Sequence, residues 1–128
     1  MISGRVANDG SQATIKLNVR GPTGRTLHVE AIIDTGFSGA LSLYPQEVDD
    51  LRLPWVGHII ATLADESEHL ADGYSAEVMW DSTPREITVT AISGGPLVGM
   101  SLMKNYRLTI DVLPNGLLTL KPLDSTNN

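Results

Sequence analysis

The sequence predicts an all-β domain, and three observations carry that prediction. Apolar and polar residues alternate with period two over Ala13–Val19 and again over Arg25–Ile33, the pattern of half-buried strands. Turn chemistry recurs at close intervals, at Gly21-Pro22-Thr23-Gly24, Asp81-Ser82-Thr83-Pro84, Ser93-Gly94-Gly95-Pro96 and Pro114-Asn115-Gly116. Only two short stretches, Gln46–Leu51 and Met100–Lys104, read as helical, so many short strands dominate. The 128 residues make one domain, with a core over about 13–123 and a polar tail at 124–128.

Each element follows from its residues. In the first strand Ile15, Leu17 and Val19 alternate with Lys16 and Asn18; in the second, Leu27, Val29, Ala31 and Ile33 share one face. The glycine-proline turn between them makes a β-hairpin. A third strand covers Ala40–Leu43, and Pro45 suits the first turn of the helix after it, where its missing N–H costs nothing. Val56–Trp80 forms a long hairpin with two candidate tips, 65–67 and 71–73. A strand at Glu86–Ala91 follows, then Leu97-Val98-Gly99. Strands at Arg107–Val112 and Leu117–Leu120 close the chain.

Composition narrows the function. Hydrophobic residues are 41% and charged residues 19%, an ordinary globular balance. The formal net charge is −6 and the nine basic residues are scattered, which argues against nucleic acid or anionic lipid as partner. There is no Cys, so neither disulfides nor thiolate ligands enter. His28, His58 and His69 match no metal-ligand spacing, so no metal is expected. Met1-Ile2-Ser3-Gly4-Arg5 lacks the apolar core of a signal peptide and no stretch has the length of a membrane span, so a cytoplasmic protein is expected.

The chemistry concentrates at Ala31-Ile32-Ile33-Asp34-Thr35-Gly36. An apolar strand there delivers one carboxylate onto a glycine turn. A lone carboxylate in apolar surroundings is costly and needs donors or a function. Two carboxylates held together share one proton. One then activates water while the other protonates a carbonyl, without metal, cofactor or covalent intermediate. Gly36 lets backbone N–H groups approach the carboxylate, and the Thr35 hydroxyl is placed to tie the loop to a symmetric copy. The chain has no second Asp-Thr-Gly or Asp-Ser-Gly, so the second carboxylate has to come from another copy. Asp111 is the next candidate carboxylate, behind Asp34.

These residues resemble the active-site motif of the retropepsin-like aspartic peptidases, in their bacterial single-domain form. The resemblance runs in motif order from about Ala13 to Leu123: the Asp34 triplet, then Thr62-Leu63-Ala64-Asp65 as a flap, then Leu97-Val98-Gly99 as the element that packs beneath the active-site loop. It implies a closed β-barrel and an aspartic endopeptidase, active as a homodimer with one Asp34 per subunit. Its substrate would be extended polypeptide with apolar flanking residues. Leu63, Ala64, Asp65, Glu66 and Ser67 would close over the substrate. Two features depart from the pattern. Glu66 stands at the flap tip where many relatives have Gly, and bulky Phe37 beside the triplet is expected to narrow the cleft. They support the alternative of an inactive module of this fold that dimerises and binds peptide. Trp55 and Trp80 are read as core or hairpin packing.

Overall fold

The computed structural model describes residues 1–62 and 65–124, with only the backbone of Ala61 and Thr62. Among the described residues ten strands and one short helix follow in order: β1 (Ile2–Val6), β2 (Ala13–Arg20), β3 (Thr26–Ile33), β4 (Leu41–Leu43), α1 (Pro45–Asp50), β5 (Trp55–Thr62), β6 (Glu68–Trp80), β7 (Thr83–Ala91), β8 (Leu97–Val98), β9 (Tyr106–Ile110) and β10 (Leu117–Pro122). The fold class is all-β, as the alternation predicts, with almost no helix.

Six strands close into a barrel in the order β6-β7-β4-β8-β3-β2, and β2 returns to β6 through Val19 opposite Val78 and Arg20 opposite Glu77. Closure leaves these strands without free edges along their paired lengths. β5 extends the sheet outward from β6, and β1, β10 and β9 extend it from β2. The alternating residues of β2, Ile15, Leu17 and Val19, turn inward with Val29, Ala31, Leu41, Leu43, Val78, Val89 and Val98. Leu118 and Leu120 of β10 are fully buried in the same core.

The helix starts as expected, with Pro45 in its first turn and the Glu47 carboxylate accepting the Tyr44 N–H at 2.9 Å. The hairpin ambiguity is resolved by register. Thr62 pairs with Glu68, so the reversal lies between them, while Ala71-Asp72-Gly73 lies inside β6 opposite Ile59, His58 and Gly57.

Three expectations need correction. The segment Met100–Lys104 is a run of turns rather than helix. Asn105 takes a positive φ (68°) and β9 begins at Tyr106, so no helix has room to extend, while the N–H groups of Met100 and Ser101 bond to the carbonyls of Phe37 (2.8 Å) and Gly39 (3.2 Å) and tie the segment to the Asp34 loop. β7 begins at Thr83, earlier than Glu86. Asp81 and Ser82 both take positive φ (53° and 66°), a two-residue turn that lets the strands pair at once. Pro84 is tolerated inside β7 because Trp80–Thr83 closes the turn. The next pair, Met79–Pro84, is then a non-hydrogen-bonded one that needs no N–H. Finally, β1 was not foreseen: Ser3, Gly4 and Arg5 hide the strand pattern, yet Ile2–Arg5 pair with β10 and Arg5–Val6 with β2.

Candidate active site

Asp34 stands one residue beyond the end of β3. The strand is driven there by burial of Val29 and Ala31, and it stops because the glycine-rich turn cannot continue the ladder. β8 is wedged between β3 and β4, parallel to one and antiparallel to the other. Ile32 lies opposite Leu97 and Ile33 opposite Val98, while Leu41 lies opposite Val98 and Ser42 opposite Leu97. Two loops are thereby fixed against each other. The Asp34 N–H donates to the Val98 carbonyl at 2.9 Å, and the Gly99 N–H to the Ala40 carbonyl at 2.9 Å.

The half-buried Asp34 carboxylate accepts the Gly36 N–H at Oδ1 (2.9 Å), and its carbonyl accepts the Phe37 N–H at 3.1 Å. This turn sets the carboxylate's direction with backbone donors alone. Thr35, next in the chain, is exposed. Of the residues read from the sequence as one site, Asp34, Thr35, Gly36, Leu97, Val98 and Gly99 are thus brought together.

Gly99 is required where it stands. A Cβ there would lie 2.1 Å from the Gly39 carbonyl oxygen and 2.6 Å from that of Phe37. The residue that fills this space is Phe37, 1% exposed, whose ring sits against Gly39 and Gly99. The expectation that Phe37 narrows the cleft is therefore overturned. Its side chain turns into the protein and props the Asp34 loop from beneath.

Ser42 is the residue that sequence reasoning missed. It is fully buried within β4. Its hydroxyl donates to the Gly95 carbonyl and accepts the Leu97 N–H, both at 3.0 Å. It clips β4, the Gly94–Pro96 turn and β8 together beside the site. One signal was legible: a hydroxyl between two leucines in a strand too short to have an exposed face.

The β5–β6 hairpin carries the expected flap residues at its far end. Leu63 and Ala64 lie outside the described residues. Asp65, Glu66 and Ser67 form the return, with Glu66 at φ 67°. Asp65 accepts both the N–H (2.9 Å) and the hydroxyl of Ser67, which also contacts His69 Nε2 at 2.9 Å. These bonds, the hydroxyl's first, hold the Asp65 carboxyl below the usual carboxylate range. Lower on the hairpin, Asp72 accepts from Trp55 Nε1 at 3.2 Å and lies 3.1 Å from His58 Nδ1. Trp55 is 56% exposed, packing on the hairpin surface, whereas Trp80 belongs to the core.

A cleft of about 640 Å³ separates this hairpin from the Ala91–Gly94 segment, with His58, Leu70 and Asp72 on one wall and Ile92 and Gly94 on the other. A second, of about 410 Å³, lies between Ile59 of the hairpin and Ser38-Gly39-Ala40 of the Asp34 loop. Among the described residues no group of three His, Cys, Asp or Glu could hold a metal, and no helix is long and apolar enough to cross a membrane.

No protein-family model matches the chain, and no curated protein matches it. Among solved structures it is similar to a retropepsin-like aspartic protease from Rickettsia conorii, with 15% identity and a TM-score of 0.44. That likeness covers 89% of this chain and 97% of the other.

Proposed function

We propose that the protein is an aspartic endopeptidase of the retropepsin-like kind, active as a homodimer in which each subunit supplies one Asp34. The observation that carries this reading is the Asp34 turn. A half-buried carboxylate accepts the Gly36 N–H, the Asp34 backbone N–H is bonded to the Val98 carbonyl of the wedge strand, and Thr35 is exposed beside it. A rigid carboxylate of this kind, set beside its symmetry mate, shares a single proton with it. The ionised member takes a proton from water as that water attacks the scissile carbonyl. The protonated member donates to the carbonyl oxygen. The substrate is an extended polypeptide bound partly through its backbone, with the β5–β6 hairpin closing over it and apolar side chains of Ile59 and Leu70 near its path. Activity belongs to acid or mildly acid pH, where the pair holds its proton.

The test is cleavage of a random peptide mixture across pH by the parent chain and by Asp34→Asn. The amide preserves an oxygen for the Gly36 N–H, so the fold is retained. The expected loss in rate is about 10²–10⁴-fold or more, typical for removal of an acid-base group. An Asp34→Asn protein that cuts as fast as the parent overturns the reading. Binding of peptide without cleavage in both proteins would favour the inactive module instead. With Phe37 buried, only Glu66 now speaks for that alternative.

A further inference from the structure

We propose that the cleft beside Ile32 receives a substrate side chain close to the scissile bond, and that Arg5 at its far end selects an acidic one. The proposal deepens the reading above and rests on it, because it takes Asp34 as the point where the bond is cut.

The cleft lies on the face from which Asp34 projects. The Ile32 N–H donates to the Pro96 carbonyl and the Asp34 N–H to the Val98 carbonyl, both at 2.9 Å. The β3–β8 ladder therefore runs on past the end of β3. Strand alternation then puts Glu30, Ile32 and Asp34 on one face, opposite to buried Val29 and Ala31. Across the strands the same face continues from Ile32 to Thr14 and from Thr14 to Arg5, which are paired in register. A cleft of about 530 Å³ opens over this row, with Ile32, Pro96, Thr14, Glu30 and Arg5 in its lining. Ile32 is two residues from Asp34, about 7 Å along a strand, which is also the span of two residues of extended substrate. A substrate residue within two positions of the bond cut at Asp34 thus finds this cleft.

Charge decides what the cleft takes. Ile32 and Pro96 offer apolar walls, in keeping with the apolar flanking residues that the family resemblance implies, and two charges stand beyond them. Glu30 is answered within the chain. Its Oε1 accepts the Thr14 hydroxyl at 2.8 Å, and Lys16 stands opposite it across β2 and β3. Arg5 is exposed, and its cross-strand neighbours are Thr14 and Leu117. Among the described residues no carboxylate lies within ion-pair distance of it. The unanswered charge of the cleft is therefore positive. A guanidinium stays charged throughout the acid range and takes a carboxylate through two parallel hydrogen bonds. An acidic side chain lays its methylene stem on Ile32 and brings its carboxylate to Arg5. A homodimer offers two such clefts, so the preference falls on either side of the scissile bond.

Matched peptides test the selection: short apolar peptides with Glu, Gln or Lys placed within two residues of the scissile bond. The parent is expected to favour Glu over Gln roughly tenfold in kcat/KM, the size of a charge-assisted hydrogen bond. In Arg5→Met that ratio falls to about one, and in Arg5→Glu the Lys peptide becomes the favoured one. A merely structural role for Arg5 lowers all three peptides together, leaves the ratio standing and overturns the proposal. Binding of uncleavable peptides centred on statine, with the same three substitutions, gives a second readout that is independent of turnover. Cleavage that depends on Asp34 but shows no preference for Glu, or a preference for Lys, overturns the Arg5 subsite while the peptidase reading stands. Arg5-dependent binding of the Glu peptide without any cleavage supports the subsite and overturns the peptidase. Absence of both cleavage and Glu-selective binding overturns both.

Discussion

The N–H of Asp34 is bonded to the carbonyl of Val98 at 2.9 Å. The candidate catalytic residue is therefore positioned by a two-residue strand far along the chain, not by its own hairpin alone. Val98 is fully buried between β3 and β4, so the Asp34 turn inherits the rigidity of the barrel wall. Substitutions that leave Asp34 untouched but disturb this wedge are expected to act on stability and activity together.

Gly99→Ala is the sharpest of these. Its Cβ meets backbone oxygens of Gly39 and Phe37, which cannot swing away as a side chain would. A loss of about 1–3 kcal/mol is expected, at the upper end of that range, read as a lower urea midpoint with an unchanged m-value. Gly94→Ala, with nothing within 4 Å of its Cβ, is the control and should stay within about 0.5 kcal/mol of the parent.

Ser42→Ala removes the hydroxyl that donates to the buried Gly95 carbonyl and accepts from the half-buried Leu97 N–H. Leaving such groups unsatisfied costs about 1–3 kcal/mol. Because Leu97 belongs to the wedge, amide exchange at Leu97 should accelerate in the variant while β9 and β10 keep their protection.

Phe37→Ala empties the space beneath the Asp34 loop and should cost about 3–5 kcal/mol, the range for a buried aromatic. Phe37→Leu retains enough volume to fold. Its expected effect is a lower unfolding midpoint with unchanged cleavage preference. A shift in preference with unchanged stability would instead place the ring in the cleft.

The hairpin tip should respond to acid. Ser67 hydrogen bonds hold the Asp65 carboxyl below its unfolded value of about 3.9. A depressed folded pKa gives stabilisation that is fully present above the unfolded value and lost as pH falls through the folded one. The Asp65–Ser67 turn thus stays ordered at mildly acid pH and loosens only in stronger acid. Ser67→Ala removes the larger of the two bonds, so the Asp65 carboxyl should titrate at higher pH, as followed by its carboxyl carbon resonance.

Local chemistry alone made much of this protein legible. Alternation in β2 and β3 predicts their hairpin because one face of each strand must be buried. Pro45 places the helix start, and the Ile32-Ile33-Asp34-Thr35-Gly36 stretch marks the candidate site, because a carboxylate at the end of an apolar strand requires donors. What stayed hidden depends on partners distant in the chain. β1 has too little alternation to declare itself and becomes a strand only because β2 and β10 offer edges to it. Met100–Lys104 has the composition of a helix, but the chain turns left-handed at Asn105 (φ 68°) and enters β9 at Tyr106, which leaves no length for one. Phe37 could face the cleft or the core on sequence grounds, and the glycines at 39 and 99 decide for the core by leaving room for its ring. Period and propensity act within a few residues and so are written in the order of the chain; the wedge of β8 and the burial of Phe37 arise from barrel closure, which only tertiary packing decides.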